Sequence, residues 1–145
     1  MPDELIDIFD ENMVFQSTAL KSEAHKNGLW HKSIHCWIVN AQEPGYVLFQ
    51  KRGRDKPVYP NALDISAAGH YQSGEKISDG VREIFEEVGI HVPFDSLIPL
   101  GIKIDVGLFR DHIVREFCEV FLLKNKLAPR DYSLNHDEVD GLVQI

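Results

Sequence analysis

The chain has 145 residues, 43% hydrophobic and 26% charged, an ordinary balance for one globular domain able to bury about two thirds of its unfolded surface. Its net charge of −8 argues against a binder of duplex nucleic acid, which needs a basic face to displace counterions. The opening "MPDELIDIFDEN" lacks the charged-then-apolar order of a secretory signal and no apolar run approaches a membrane span, so no membrane partner is expected and the cytoplasm is the expected location.

In chain order, "LIDIFD" and "MVFQSTAL" flank "EN" and predict an N-terminal hairpin, followed by "KSEAHKNG" as a short helical turn or loop. Residues 1–28 are read as this hairpin and its connector, and 29–145 as the main domain. "HKSIHCWIVNA" and "GYVLFQKRG" are two strands joined at the Pro-Gly of "QEPG". After "DKPVYPNA" come a short strand in "LDISAAGH", a glycine-bearing loop, and a helix that starts near Ser78 or Asp79 and stops at Gly89. Val81, Ile84, Phe85 and Val88 fall at i, i+3, i+4 and i+7, which predicts one apolar stripe with the helix's acids on the opposite side.

"LIPLGIKIDV", "IVREFCEVFLLKN" and "EVDGLVQI" read as further strands, so the fold class is α/β with a mixed sheet. The sequence ends in or just after a strand-like segment. Either another element covers that sheet face, or a C-terminal helix is missing and the chain has been shortened. Cys36 and Cys118 lie far apart in apolar segments without CxxC spacing and are read as reduced core residues.

The stretch "REIFEEVG" poses a physical problem. On a helix, Glu83, Glu86 and Glu87 fall at i, i+3 and i+4, where like charges repel by roughly 0.2–0.5 kcal/mol per pair and the last turn faces the negative end of the dipole. Either the three acids form a solvated helix face, or a divalent, oxygen-seeking cation reverses that penalty. Mg²⁺, or Mn²⁺ in its place, takes one or two carboxylates and leaves positions for water and phosphate oxygens. Lys51, Arg52 and Arg54 close the preceding strand and are candidates for phosphate contacts, with a solvated strand end as the alternative. Glu116 alternates with Val114, Cys118, Val120 and Leu122 on one strand face, an acid among apolar neighbours that calls for a partner or a metal. Asp137, Glu138 and Asp140 form a further acidic group before the last strand.

The longer stretch "GHYQSGEKISDGVREIFEEVGI", Gly69 to Ile90, resembles the Nudix box of the Nudix hydrolases, a loop–helix–loop motif. It departs from the family pattern by one residue fewer between Glu75 and Arg82, in a loop and first helical turn where deletions are tolerated. The resemblance implies the Nudix fold, a mixed sheet sandwiched by helices. It also implies that Glu83, Glu86 and Glu87 hold divalent metal with the Gly69 carbonyl, that Arg82 and Glu75 form a structural brace, and that Glu138 matches a downstream acid of some members.

The reaction implied is attack of water on the diphosphate of a nucleoside diphosphate derivative or related organic diphosphate. A small anionic substrate would then be recruited by the metal and not by net charge. Less tightly, "GLWHKSIHCWIVN", "LFQKR" and "DISAAGH" resemble the branch that holds isopentenyl diphosphate isomerases. That likeness implies a second metal set, His25, His31, His70 and Glu116, with Val114 replacing one ligand and Ala68 standing where the isomerases carry a cysteine. An isomerase and a non-catalytic nucleotide-binding module therefore stand as alternatives, the latter disfavoured by intact acids that cost stability without metal. A homodimer is left open.

Overall fold

The structure is a computed structural model that describes residues 3–42, 44–56 and 59–145. Leu5–Phe9 (β1) and Phe15–Leu20 (β2) pair antiparallel as the expected hairpin, and Lys21–Asn27 forms the short helix α1, closed by Gly28 at φ 65°. Alternation turns Ile6, Ile8 and Ala19 inward against Ala24 of α1, which gives the hairpin a small core of its own.

The main sheet is built from His31–Asn40 (β3), Tyr46–Arg52 (β4), Leu63–Asp64 (β5), Ala67–His70 (β6), Ile98–Phe109 (β7), His112–Lys124 (β8) and Val139–Gln144 (β9). Its spatial order is β5-β4-β3-β8-β7, with β6 paired to β3 and β9 to β4. β3 and β8 run parallel and the remaining pairs antiparallel, the mixed α/β sheet expected. β6 and β4 share one edge of β3, so the segment that leads into the second helix lies beside the sheet's centre.

That helix, Val81–Val88 (α2), follows a 3₁₀ turn over Ile77–Gly80 and ends at Gly89, φ 77°. The expected cap at Ser78 or Asp79 is replaced by this turn, in which the Asp79 carboxylate reaches back to accept the Lys76 N–H at 2.7 Å. A Cβ on Gly80 would stand 2.7 Å from Ile34 Cδ1 and 2.8 Å from Tyr71 Oη, so the tighter turn carries the chain close under β3. Ile84 and Val88 are fully buried and pack with Ile34, Cys36, Ile38, Phe121 and Leu123.

The buried arc of α2 is rotated from the expected one. Phe85 is exposed, with its ring stacked on His91 at 4.0 Å, while Glu83 and Glu87 are buried. At 3.6 residues per turn Glu87 lies only about 60° around the helix from Ile84, so an arc that covers Ile84 and then meets β6 takes in both acids. Cys36 and Cys118 are free and buried. No helix among the described residues is long and apolar enough to cross a membrane.

Candidate active site

The close approach of β6 and α2 determines how the acids are held. The backbone N–H of Ala68 donates to Glu87 Oε1 at 2.8 Å, and the Gln50 side-chain amide donates to the same oxygen at 3.1 Å. Next along β6, a Cβ on Gly69 would overlap the Glu83 carboxyl group, so glycine is required for Glu83 to lie there. Arg82 connects the remaining carboxylates. Its Nε and Nη2 donate to the two oxygens of Glu75 at 3.0 and 2.8 Å, and its Nη1 donates to Glu83 at 3.0 Å and Glu86 at 2.9 Å.

Glu83 and Glu87 are 7% and 4% exposed, while one arginine, Arg82, is shared among three acids, Glu75, Glu83 and Glu86. Burial pushes the Glu83 carboxyl up to about 7 against the pull of Arg82. The Glu87 carboxyl also moves up, chiefly through burial, with Glu83 adding to the rise and the Ala68 N–H opposing it. Both carboxyls are therefore harder to ionise than a free glutamate, and a divalent cation would favour the ionised pair. The donor set is all oxygen, which suits Mg²⁺ or Mn²⁺.

A second cluster faces the same space. One ligand atom each from His25, His31, His70 and Glu116 lies within 4.8 Å of the others. His31 Nδ1 sits 2.9 Å from the Leu29 carbonyl, an acceptor only, so that nitrogen carries the proton. Its Nε2 then presents a lone pair to Glu116 Oε1 at 3.2 Å, and His70 Nε2 stands 2.9 Å from the same oxygen. An additional proton or a cation resolves that conflict, and a backbone carbonyl that orients the ring is the usual support for a metal-binding histidine.

Burial drives His25 down to about 3 and His70 to about 4, so both rings are neutral and available as ligands. For Glu116 burial acts upward but is outweighed by the neighbouring His70, and its carboxyl stays well below the usual range. His112, which the sequence did not single out, has a buried Nδ1 with no hydrogen-bond partner among the described residues and a ring centre 5.6 Å from that of His25.

Glu83 and Glu87 of the first cluster and His25, His70 and Glu116 of the second line one cavity of about 430 Å³, along with Gly69, Glu86, Glu138, Arg52, Lys56 and Lys21, while His31 is fully buried. Of the three basic residues expected at the strand end, Arg52 alone reaches it, and its Nη1 pairs with Asp64 at 3.0 Å. Lys51 points to the other face, with Nζ 3.2 Å from Asp140, because neighbours on a strand alternate; Arg54 lies exposed in the following turn. Sequence reasoning passed over Gln50, although a polar residue two positions from buried Leu48 shares its face and is a readable signal. Ser33, which donates to Glu116 Oε2 at 3.1 Å, gave a similar signal between the apolar residues of β3.

No family model matches the chain. It is 42% identical over 146 residues to a Nudix hydrolase of Clostridium acetobutylicum, an alignment that covers 100% of this chain and 71% of that relative. A Nudix hydrolase of Listeria innocua is 36% identical over 135 residues, 92% of this chain and 74% of the relative. The crystal structure of DR0079 from Deinococcus radiodurans shares the fold, with a TM-score of 0.76 over 98% of this chain and 83% of that one at 23% identity. With 42% and 36% identity to these two hydrolases over nearly its whole length, the chain belongs to the Nudix hydrolase family.

Proposed function

We propose that this protein hydrolyses a diphosphate linkage in a small molecule, a nucleoside diphosphate derivative or related organic diphosphate, with Mg²⁺ or Mn²⁺ held by Glu83, Glu86, Glu87 and the Gly69 backbone. The observation that carries this reading is the pair of buried carboxylates, Glu83 and Glu87, on the wall of a cavity with too little positive charge to neutralise them. When bound, the metal supplies Lewis-acid polarisation of a phosphoryl oxygen and a lower pKa for water.

The chain's own residues do the positioning. Gln50 and the Ala68 N–H fix the rotamer of Glu87, Arg82 aligns Glu83 and Glu86, and Glu75 braces Arg82 against the preceding loop. Arg52, Lys56 and Lys21 line the cavity as cations for phosphate oxygens remote from the helix. Among the cavity carboxylates beyond the box, Glu116 and Glu138 are the candidates to accept a proton from water. The lone-pair conflict at His31 favours a second cation at His25, His31, His70 and Glu116, the set shared in resemblance with the isomerase branch.

The test is product analysis across a panel of nucleoside diphosphate derivatives and organic diphosphates, with Mg²⁺ or with chelator. Cleavage at the diphosphate is expected only with metal, and Glu87→Gln is expected to lower it by on the order of 10²-fold or more. Metal-independent turnover, or turnover indifferent to Glu87→Gln, would overturn the proposal.

A further inference from the structure

We infer that β7 is a self-complementary edge through which two copies of this chain pair, each β7 antiparallel to the other about a twofold axis at Ile104. β7 is 12 residues long and ends the sheet order; one edge pairs with β8 throughout, and no strand among the described residues pairs with the other. A long open edge presents unpaired backbone donors and acceptors, and solitary proteins blunt such edges with shortness, proline or inward charges. Here the edge also bears an apolar row. Ile102, Ile104, Val106 and Leu108 share one face and are 50%, 61%, 62% and 70% exposed.

The sequence of the strand identifies the occupant. "GIKIDVG", Gly101 to Gly107, reads glycine, aliphatic, lysine, isoleucine, aspartate, aliphatic, glycine, a pattern that is symmetric about Ile104 except that the charges on either side are opposite. Antiparallel pairing centred on Ile104 sets Lys103 opposite Asp105 of the partner subunit, and by the twofold sets Asp105 opposite Lys103 of the partner subunit. The same register places Ile102 against Val106 of the partner subunit and Ile104 against its own copy, so the row of aliphatics continues across the axis.

Slipping the pairing by one residue would bring aliphatic and charged residues to the same face, so the pattern specifies one register. A bulge between Pro99 and Gly101 bounds the regular stretch on one side. Asp105 also lines the cavity, so the pairing brings Lys103 of the partner subunit to the rim of each site.

The experiment is mass determination in solution at micromolar concentration by light scattering, with circular dichroism to confirm folding. The wild type is expected to be a dimer. Lys103→Glu and Asp105→Lys each set like charges opposite one another at both symmetry-related pairs, and each should weaken association by at least about tenfold. The double variant K103E/D105K restores opposite charges and should restore the dimer. Ile104→Lys, exposed in the free chain, should give a folded monomer. A monomeric wild type, a dimer indifferent to either single charge reversal, or a double variant that stays monomeric would each overturn the inference.

Discussion

Glu83 and Glu87 show how a residue type can be legible while its environment is not. Their spacing with Glu86 is written in "REIFEEVG", yet a helical wheel alone sets the acids opposite the apolar stripe, and only the approach of β6 buries two of them. The consequence for pH follows from the direction of the shift. Glu83 has a folded pKa of about 7 against 4.5 in the open chain, so in chelator the folded state is at no disadvantage below pH 4.5 and loses stability as the pH rises toward 7. Thermal melts in chelator should show that fall, and Mg²⁺ should raise the melting temperature more at pH 8 than at pH 5 if, as proposed, it binds the ionised pair. A metal effect that shrinks as pH rises would contradict this. Glu87→Gln should leave stability in chelator equal or higher while removing turnover. Glu75→Gln should instead destabilise by about 1–3 kcal/mol, with a smaller loss of turnover, because it releases Arg82 from a charge-assisted pair without removing a metal ligand. If Glu75→Gln were the more damaging to turnover, brace and ligand would have to be exchanged.

Among the elements, strands and hairpin were legible from alternation and turn residues, as was the end of α2 at Gly89. What escaped is set by contacts distant in sequence. Neither the division of "LDISAAGH" between β4, as β5, and β3, as β6, nor the 3₁₀ turn before α2 has a local signature. Lys51, Arg52 and Arg54 looked equivalent until strand alternation and the following turn sent them three ways. The β6–α2 contact yields a direct test in Gly69→Ala. The added methyl overlaps the Glu83 carboxyl, so either the helix or the carboxylate must shift, with an expected cost of about 1–3 kcal/mol. Since the shift displaces a carboxylate proposed to hold the metal, the stabilisation by Mg²⁺ measured by thermal melting should shrink in the same variant. A Gly69→Ala protein with undiminished response to Mg²⁺ would mean that Glu83 does not hold the metal.

For the molecule as a whole, one cavity joins an acidic wall on α2 to a histidine-rich wall around Glu116, and two chemistries can be weighed against these walls. Hydrolysis needs metal and water beside a diphosphate. Allylic isomerisation needs a proton donor or acceptor on each face of a hydrocarbon chain, so Glu116 would need a partner across the cavity. Ala68, beside Gly69 on β6, occupies the place of that partner in the resemblance to the isomerase branch. Its methyl group transfers no proton, and its N–H is committed to Glu87. Neither cysteine supplies the missing group. Cys36 is packed in the apolar core with α2, and Cys118 lies beside Glu116 with Sγ 4.0 Å from its Oε2, not across from it; burial pushes both thiols up to about 12. Isopentenyl diphosphate incubated with the protein and Mg²⁺ should therefore yield no dimethylallyl diphosphate above background by proton NMR, including when the histidine cluster is supplied with Mn²⁺. Metal-dependent appearance of that isomer, abolished by Glu116→Gln, would show that the wall around Glu116 has a second proton carrier and would displace hydrolysis as the reaction of this cavity.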